Sequence, residues 1–147
     1  MFRSIVVGTD GSETATKAVR QAAELAQSVG GVLEVVSAYE PVGTTRLRAE
    51  RQQAPEDVQW MVNEREDVEA SLASAVEAAE AVGARVNTYA RRGDPADAIL
   101  DVAEERHADL IVVGNKGMTG AKRFLLGSVP NKVSHHAPCS VLIIRTT

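Results

Sequence analysis

Apolar, largely β-branched runs recur along the chain, separated by stretches with helical spacing. Ser4-Ile5-Val6-Val7-Gly8-Thr9 is the first run, and its lack of polar alternation predicts a strand buried on both faces. Thr9-Asp10-Gly11-Ser12 supplies turn residues and a helix N-cap at Ser12. Ala15, Ala18, Val19, Ala22, Leu25, Ala26 and Val29 then follow a helical period, which Gly30-Gly31 stops. Val32 to Ala38 predicts a second strand, and the polar stretch Glu40 to Pro55 predicts a loop. Val68, Leu72, Ala75, Val76 and Ala79 set the buried stripe of a long helix from about Glu56 to Val82, ended by Gly83.

Arg85 to Ala90 reads as a third strand, polar enough for a sheet edge. Asp94-Pro95 starts a helix whose inner face is Ala96, Ile99, Leu100 and Ala103. Asp109 to Val113 predicts a fourth strand. A helix from about Ser128, closed by Pro138, leads into a fifth strand at Ser140 to Ile144. Strict alternation of strand and helix predicts a single α/β domain over residues 1–147, with a parallel sheet covered by helices on both faces.

Composition narrows the possible partners. A formal net charge of -4 argues against a nucleic-acid partner. No apolar run approaches the roughly 18 residues of a membrane span. With one cysteine, Cys139, no internal disulfide can form, and the cytoplasm is the expected location. His107, His135 and His136 lack metal-ligand spacing, so no metal site is expected on them.

The chemistry concentrates after the fourth strand. Gly114 and Gly117 are separated by two residues, and Gly117 and Gly127-Ser128 by nine. Glycine lets a backbone approach an anion closely. Free amides and the positive end of the helix dipole at Gly127-Ser128 suit a phosphate; as a bland alternative, Ser128 is only an N-cap. This is neither a P-loop, since no lysine follows Gly127, nor the dinucleotide Gly-x-Gly-x-x-Gly pattern. If the first and fourth strands are neighbours, Asp10 and the glycine loop line one crevice at a topological switch point.

The spacing Gly114-x2-Gly117-x9-Gly127-Ser128 resembles the ATP-binding motif of the universal stress protein family. The likeness extends to Val6 through Ser12, Asp109 through Gly114, Leu126 through Val129 and Cys139 through Ile144. It implies a three-layer fold on an open five-stranded sheet in the order 3-2-1-4-5, a homodimer joined through the C-terminal strand, and an ATP-binding stress-response regulatory module. Under this resemblance Thr9 and Asp10 would contact the nucleotide, and Ala38 would lie against adenine. Val113, Gly114 and Gly117 would line ribose and base, and Gly127, Ser128 and Val129 would hold the phosphates. Pro130 stands where some members carry a hydroxyl, which puts one phosphate contact in doubt.

Several readings stay open at this level. Cyclic AMP is the alternative ligand, with the protein as a nucleotide sink, and a slow ATPase is a further alternative. No general base near a γ-phosphate can be named, so no catalytic residue is assigned. Mg2+ bridging Asp10 and the phosphates is compatible with how magnesium binds; Asp10 is equally compatible with a plain capping role. Lys116, Lys122 and Arg123 either screen phosphate charge or are surface residues. Asn115 either donates to ribose or supports the turn.

Overall fold

The computed structural model describes residues 1–39, 65–115 and 126–146. Its strands are β1 (Ser4–Gly8), β2 (Val32–Tyr39), β3 (Arg85–Arg92), β4 (Leu110–Gly114) and β5 (Ser140–Ile144). Its helices are α1 (Glu13–Val29), α2 (Arg65–Ala81), α3 (Pro95–Glu105) and α4 (Ser128–His136). The sheet order is β3-β2-β1-β4-β5, and all pairings are parallel. The expected topology is therefore the observed one. The stretch 40–64, which includes the expected loop and the start of the long helix, lies outside the described residues.

Two apolar layers explain why the central strands read as unbroken hydrophobic runs. Ile5 and Val7 of β1, Leu33 and Val35 of β2, and Val112 of β4 pack against α1 and α2. The alternate residues Val6, Val36, Ile111 and Val113 pack against α3 and α4. Both faces of these strands are thus dry, and their buried side chains are apolar apart from Glu34 and Ser37 of β2. Alanines carry much of the α1 contact: Ala18, Ala22, Ala23 and Ala26 are all buried. Among the described residues no helix is long and apolar enough to cross a membrane.

Local signals set the helix ends. The Ser12 side chain accepts from the Ala15 amide at 3.2 Å, and Gly30 takes a left-handed φ of 73° at the other end of α1. Asp94 caps α3 by accepting from the Asp97 amide at 3.0 Å, with Pro95 in the first turn. The strand β3 runs two residues beyond its expected end at Ala90, in register with Ala38 and Tyr39.

Gly31 has a steric role that its place in a stop signal does not reveal. A Cβ there would sit 2.5 Å from the Phe2 carbonyl oxygen and 3.2 Å from that of Arg3. Both obstacles are backbone, so the neighbours cannot simply rotate away. Gly31→Ala is expected to cost about 1–3 kcal/mol, read as a lower urea midpoint. Gly30→Ala, with open space around it, is expected to cost only the ~1–2 kcal/mol of a left-handed residue.

Candidate functional site

β4 pairs with β1; the chain leads from β1 through α1 on one face to β2, and from β4 to α4 on the other face and then to β5. Connections therefore diverge above the carboxyl ends of β1 and β4, and a crevice opens between them. A cavity of about 370 Å³, counting space open to solvent, lies there. Gly8 and Gly114 form its floor at the two strand ends, with Val113 beside them. Thr14, Ala15 and Ala18 of α1 line it, as do Ile99 of α3 and Val129 and Pro130 of α4. Thr146, from the segment after β5, completes the wall.

Of the residues expected from sequence to bind, Val113, Gly114 and Val129 meet at this cavity. Thr9, Asp10, Ala38, Gly127 and Ser128 do not line it. Gly117 lies outside the described residues, as do Lys116, Lys122 and Arg123. Sequence reasoning missed Gly8, Thr14, Ala15, Ile99 and Thr146 as wall residues. Only Gly8, in the apolar run that ends at Thr9-Asp10, carried a usable signal.

Thr9 and Asp10 organise the turn between β1 and α1. Thr9 is buried, and its amide donates to the Val36 carbonyl at 2.9 Å. The Thr9 Oγ1 accepts from the Gly11 amide at 3.1 Å. Asp10 Oδ1 accepts from the Ser12 amide at 2.9 Å, a turn of the Asx kind. Gly11 has φ 83° and faces Ser71, whose Oγ lies 2.6 Å from where a Cβ would be. The capping alternative for Asp10 thus has a concrete partner. Ala38 is nearly buried at the end of β2, on the side of the sheet that packs against α3.

The first turn of α4 is less open than its sequence suggests. Gly127, not Ser128, is the N-cap, and it has no side-chain capping bond. Its amide donates to the Asn115 carbonyl at 3.1 Å and is therefore already used. Pro130 has no amide hydrogen. The remaining first-turn donors are the Ser128 and Val129 amides, which have no acceptor within a helix. Of this turn, Val129 and Pro130 line the cavity, and a helix N-terminus is the kind of place that receives an anion.

Gly114, on the cavity floor, has a close neighbour in the protein itself. A Cβ there would lie 3.3 Å from Thr146 Cγ2 and 3.5 Å from Thr146 Oγ1. The room left by this glycine is taken by the protein's own threonine. Asn115 supports the turn, as one of its two readings proposed. Its amide donates to the Ile144 carbonyl at 2.8 Å, and its side-chain Oδ1 accepts from the Thr146 amide at 2.8 Å.

The family model described as the universal stress protein family matches residues 1–145. The chain belongs to the universal stress protein family. A universal stress protein of Mycobacterium tuberculosis is 37% identical to it over 147 residues, covering 99% of this chain and 98% of the relative. The Bacillus subtilis universal stress protein YxiE is 36% identical over 148 residues, covering 99% and 100%. Among solved structures, a universal stress protein in complex with cAMP superposes with a TM-score of 0.75 at 32% identity, covering 99% and 98% of the two chains. The universal stress protein from Archaeoglobus fulgidus in complex with dAMP gives a TM-score of 0.70 at 27% identity, covering 98% of each. Both neighbours hold an adenine nucleotide with a single phosphate. In this universal stress protein the crevice between β1 and β4 brings the first turn of α4, through Val129 and Pro130, against the largely apolar wall of α1 and α3.

Proposed function

We propose that this chain is an adenine-nucleotide-binding regulatory module that acts in the cytoplasm. The observation that carries the reading is the cleft above Gly8 and Gly114, with Val129 of the first turn of α4 on its wall, a turn whose Ser128 and Val129 amides have no intrahelical acceptor. The cAMP and dAMP complexes of the structural neighbours support it. In this reading the phosphate rests on Ser128 and Val129 across the N-cap Gly127. Val113 and Gly114 lie along ribose and base, Ala38 faces adenine, and Thr9 and Asp10 fix the turn that borders the ligand.

ATP and cyclic AMP make different demands on the rim. A triphosphate brings three phosphoryl groups, whereas the described first turn of α4 offers two amides and one hydroxyl. The Gly127 amide is spent on Asn115, and Pro130 has none to give. This donor set suits one phosphate, so cyclic AMP is favoured over ATP among the described residues. Titration calorimetry with each nucleotide tests this, with and without Mg2+. Cyclic AMP is expected to bind more tightly, and magnesium to leave its affinity unchanged. Tighter ATP binding would reverse the preference, and no uptake of either nucleotide would reject the reading.

Assembly is proposed from the other end of the sheet. β5 is an edge strand, and its Leu142 and Ile143 are 41% and 42% exposed. Unpaired backbone and exposed apolar side chains favour pairing with a second copy. Leu142→Lys is expected to shift the protein from dimer to monomer in sedimentation equilibrium. A monomer already present before the substitution would remove this proposal.

A further inference from the structure

We propose that Asn115 is the positioning residue of the cleft, acting through Thr146, which it holds as a wall against the bound nucleotide. This inference rests on the nucleotide reading above and concerns Asn115, a variable position inside the glycine motif, and Thr146, which lies outside it. Asn115 joins three separate segments. Its backbone amide donates to Ile144 and extends the β4–β5 ladder by one bond, 2.8 Å long. Its backbone carbonyl accepts from the Gly127 amide at 3.1 Å, which ties the start of α4 to the end of β4. Its side-chain Oδ1 accepts from the Thr146 amide at 2.8 Å and from Thr146 Oγ1 at 3.3 Å.

The consequence is geometric. The two side-chain bonds fix Thr146 beside Gly114. With them, Thr146 is 6% exposed and packs into the space where a Cβ of Gly114 would be. Thr146 thereby closes the cleft on the β5 side, opposite Ala15 of α1. A carboxamide suits this task because its oxygen can accept two hydrogen bonds at once. The same residue links the cleft wall to β5 and to the phosphate rim, so Asn115 sets the width of the site without touching the ligand.

A double-mutant cycle, read by titration with cyclic AMP, tests the assignment. Asn115→Ala frees the Thr146 segment and is expected to raise Kd about tenfold, the usual size of a lost hydrogen-bonded support. Thr146→Gly removes the wall itself and should do the same. Thr146→Val keeps the wall's shape and its backbone amide, and should stay within about twofold of the parent. Because both disruptive changes remove one wall, the double variant is expected to be no worse than either alone. Losses that multiply, or a Thr146→Val as damaging as Thr146→Gly, overturn the proposal. The first result would make the residues independent, and the second would make the hydroxyl a direct ligand contact.

Amide hydrogen exchange on the ligand-free protein separates this inference from the nucleotide reading. Asn115→Ala should release protection at the Thr146 amide while Val112 in the sheet centre stays protected. If the parent protein takes up neither cyclic AMP nor ATP, the nucleotide reading fails, and exchange alone decides the clamp. Undiminished protection at Thr146 in Asn115→Ala refutes the clamp whatever the titrations show.

Discussion

Ala15→Leu is expected to lower nucleotide affinity by about ten- to hundredfold, the penalty of ~1–3 kcal/mol for forcing extra methylenes into filled space. Ala15 lies in the first turn of α1, is buried at 8% exposure and lines the cleft, while belonging to neither of the two apolar clusters that cover the sheet. A larger side chain there projects into the ligand's space rather than into the sheet. The fold should tolerate it, because leucine is nearly as good a helix former as alanine. The N-cap bond from the Ala15 amide to Ser12 Oγ involves only backbone at residue 15 and survives the change.

Thermal unfolding gives the clearest readout. A ligand present at about a hundred times its Kd stabilises the native state by ~2.7 kcal/mol. For a chain of this size each kcal/mol moves Tm by about 2–4 °C, so the parent should gain roughly 5–11 °C. Ala15→Leu should show the parent's Tm without nucleotide and little or no gain with it. A full gain in the variant would place the ligand somewhere other than the crevice between β1 and β4.

Topology was the most legible layer because it rests on short-range physics. The unbroken apolar runs of β1 and β4 announce strands covered on both sides. Ser12, Gly30 and Asp94-Pro95 mark helix ends by local hydrogen bonding and backbone conformation, and each acts in the structure as those rules require. The strand order came with the family resemblance, and the observed sheet has that order. The cleft was less legible because its walls converge from distant parts of the chain. Thr14, Ile99 and Thr146 sit in unremarkable local sequence, and only the folded sheet brings them together.

The glycine motif shows the same limit in detail. Its spacing pointed to the right strand end, but not to what fills the space above each glycine. At Gly114 the occupant is Thr146, and at Gly8 it is Ile99, whose Cδ1 lies 2.5 Å from where a Cβ would be. Side chains 32 residues away at Gly114 and 91 residues away at Gly8 decide the two cases, and no local pattern encodes them. Gly117 and the neighbouring cations fall outside the described residues, so the motif's middle still rests on the resemblance alone.

Tyr89→Phe is expected to destabilise the fold by about 1.5–3 kcal/mol, the range for a hydrogen bond to a charged group. The reason is Glu34, a carboxylate 2% exposed in the middle of β2. It sits on the same face as Val36, directed toward the α3 layer. Tyr89 donates its hydroxyl to Glu34 Oε2 at 2.6 Å, and Asn87 Nδ2 reaches Oε1 at 3.4 Å. The Arg106 guanidinium, at the end of α3, stands 3.8 Å from Oε1. Removing the tyrosine hydroxyl leaves the buried carboxylate short of its best donor. Removing the carboxylate instead leaves a part-buried hydroxyl that water can serve. Glu34→Leu should therefore cost less than Tyr89→Phe, and the double change should recover most of the loss. Equal losses in both singles would mean that Glu34 is not the costly partner.

The pH dependence follows with a definite sign. Burial, and then the hydrogen bond to Glu34, push the Tyr89 hydroxyl up to about 12 from the usual 10.0 of a tyrosine. The folded state thus keeps this proton after the unfolded chain has lost it. The stabilisation is complete below pH ~10 and disappears as pH rises from ~10 to ~12. Solvent reaches part of the ring, so screening holds the loss below the ~2.7 kcal/mol that two units would represent. Urea titrations at stepped pH should show the parent losing stability through this window faster than Tyr89→Phe. Parallel curves for the two proteins would show that the Tyr89 proton is not linked to folding.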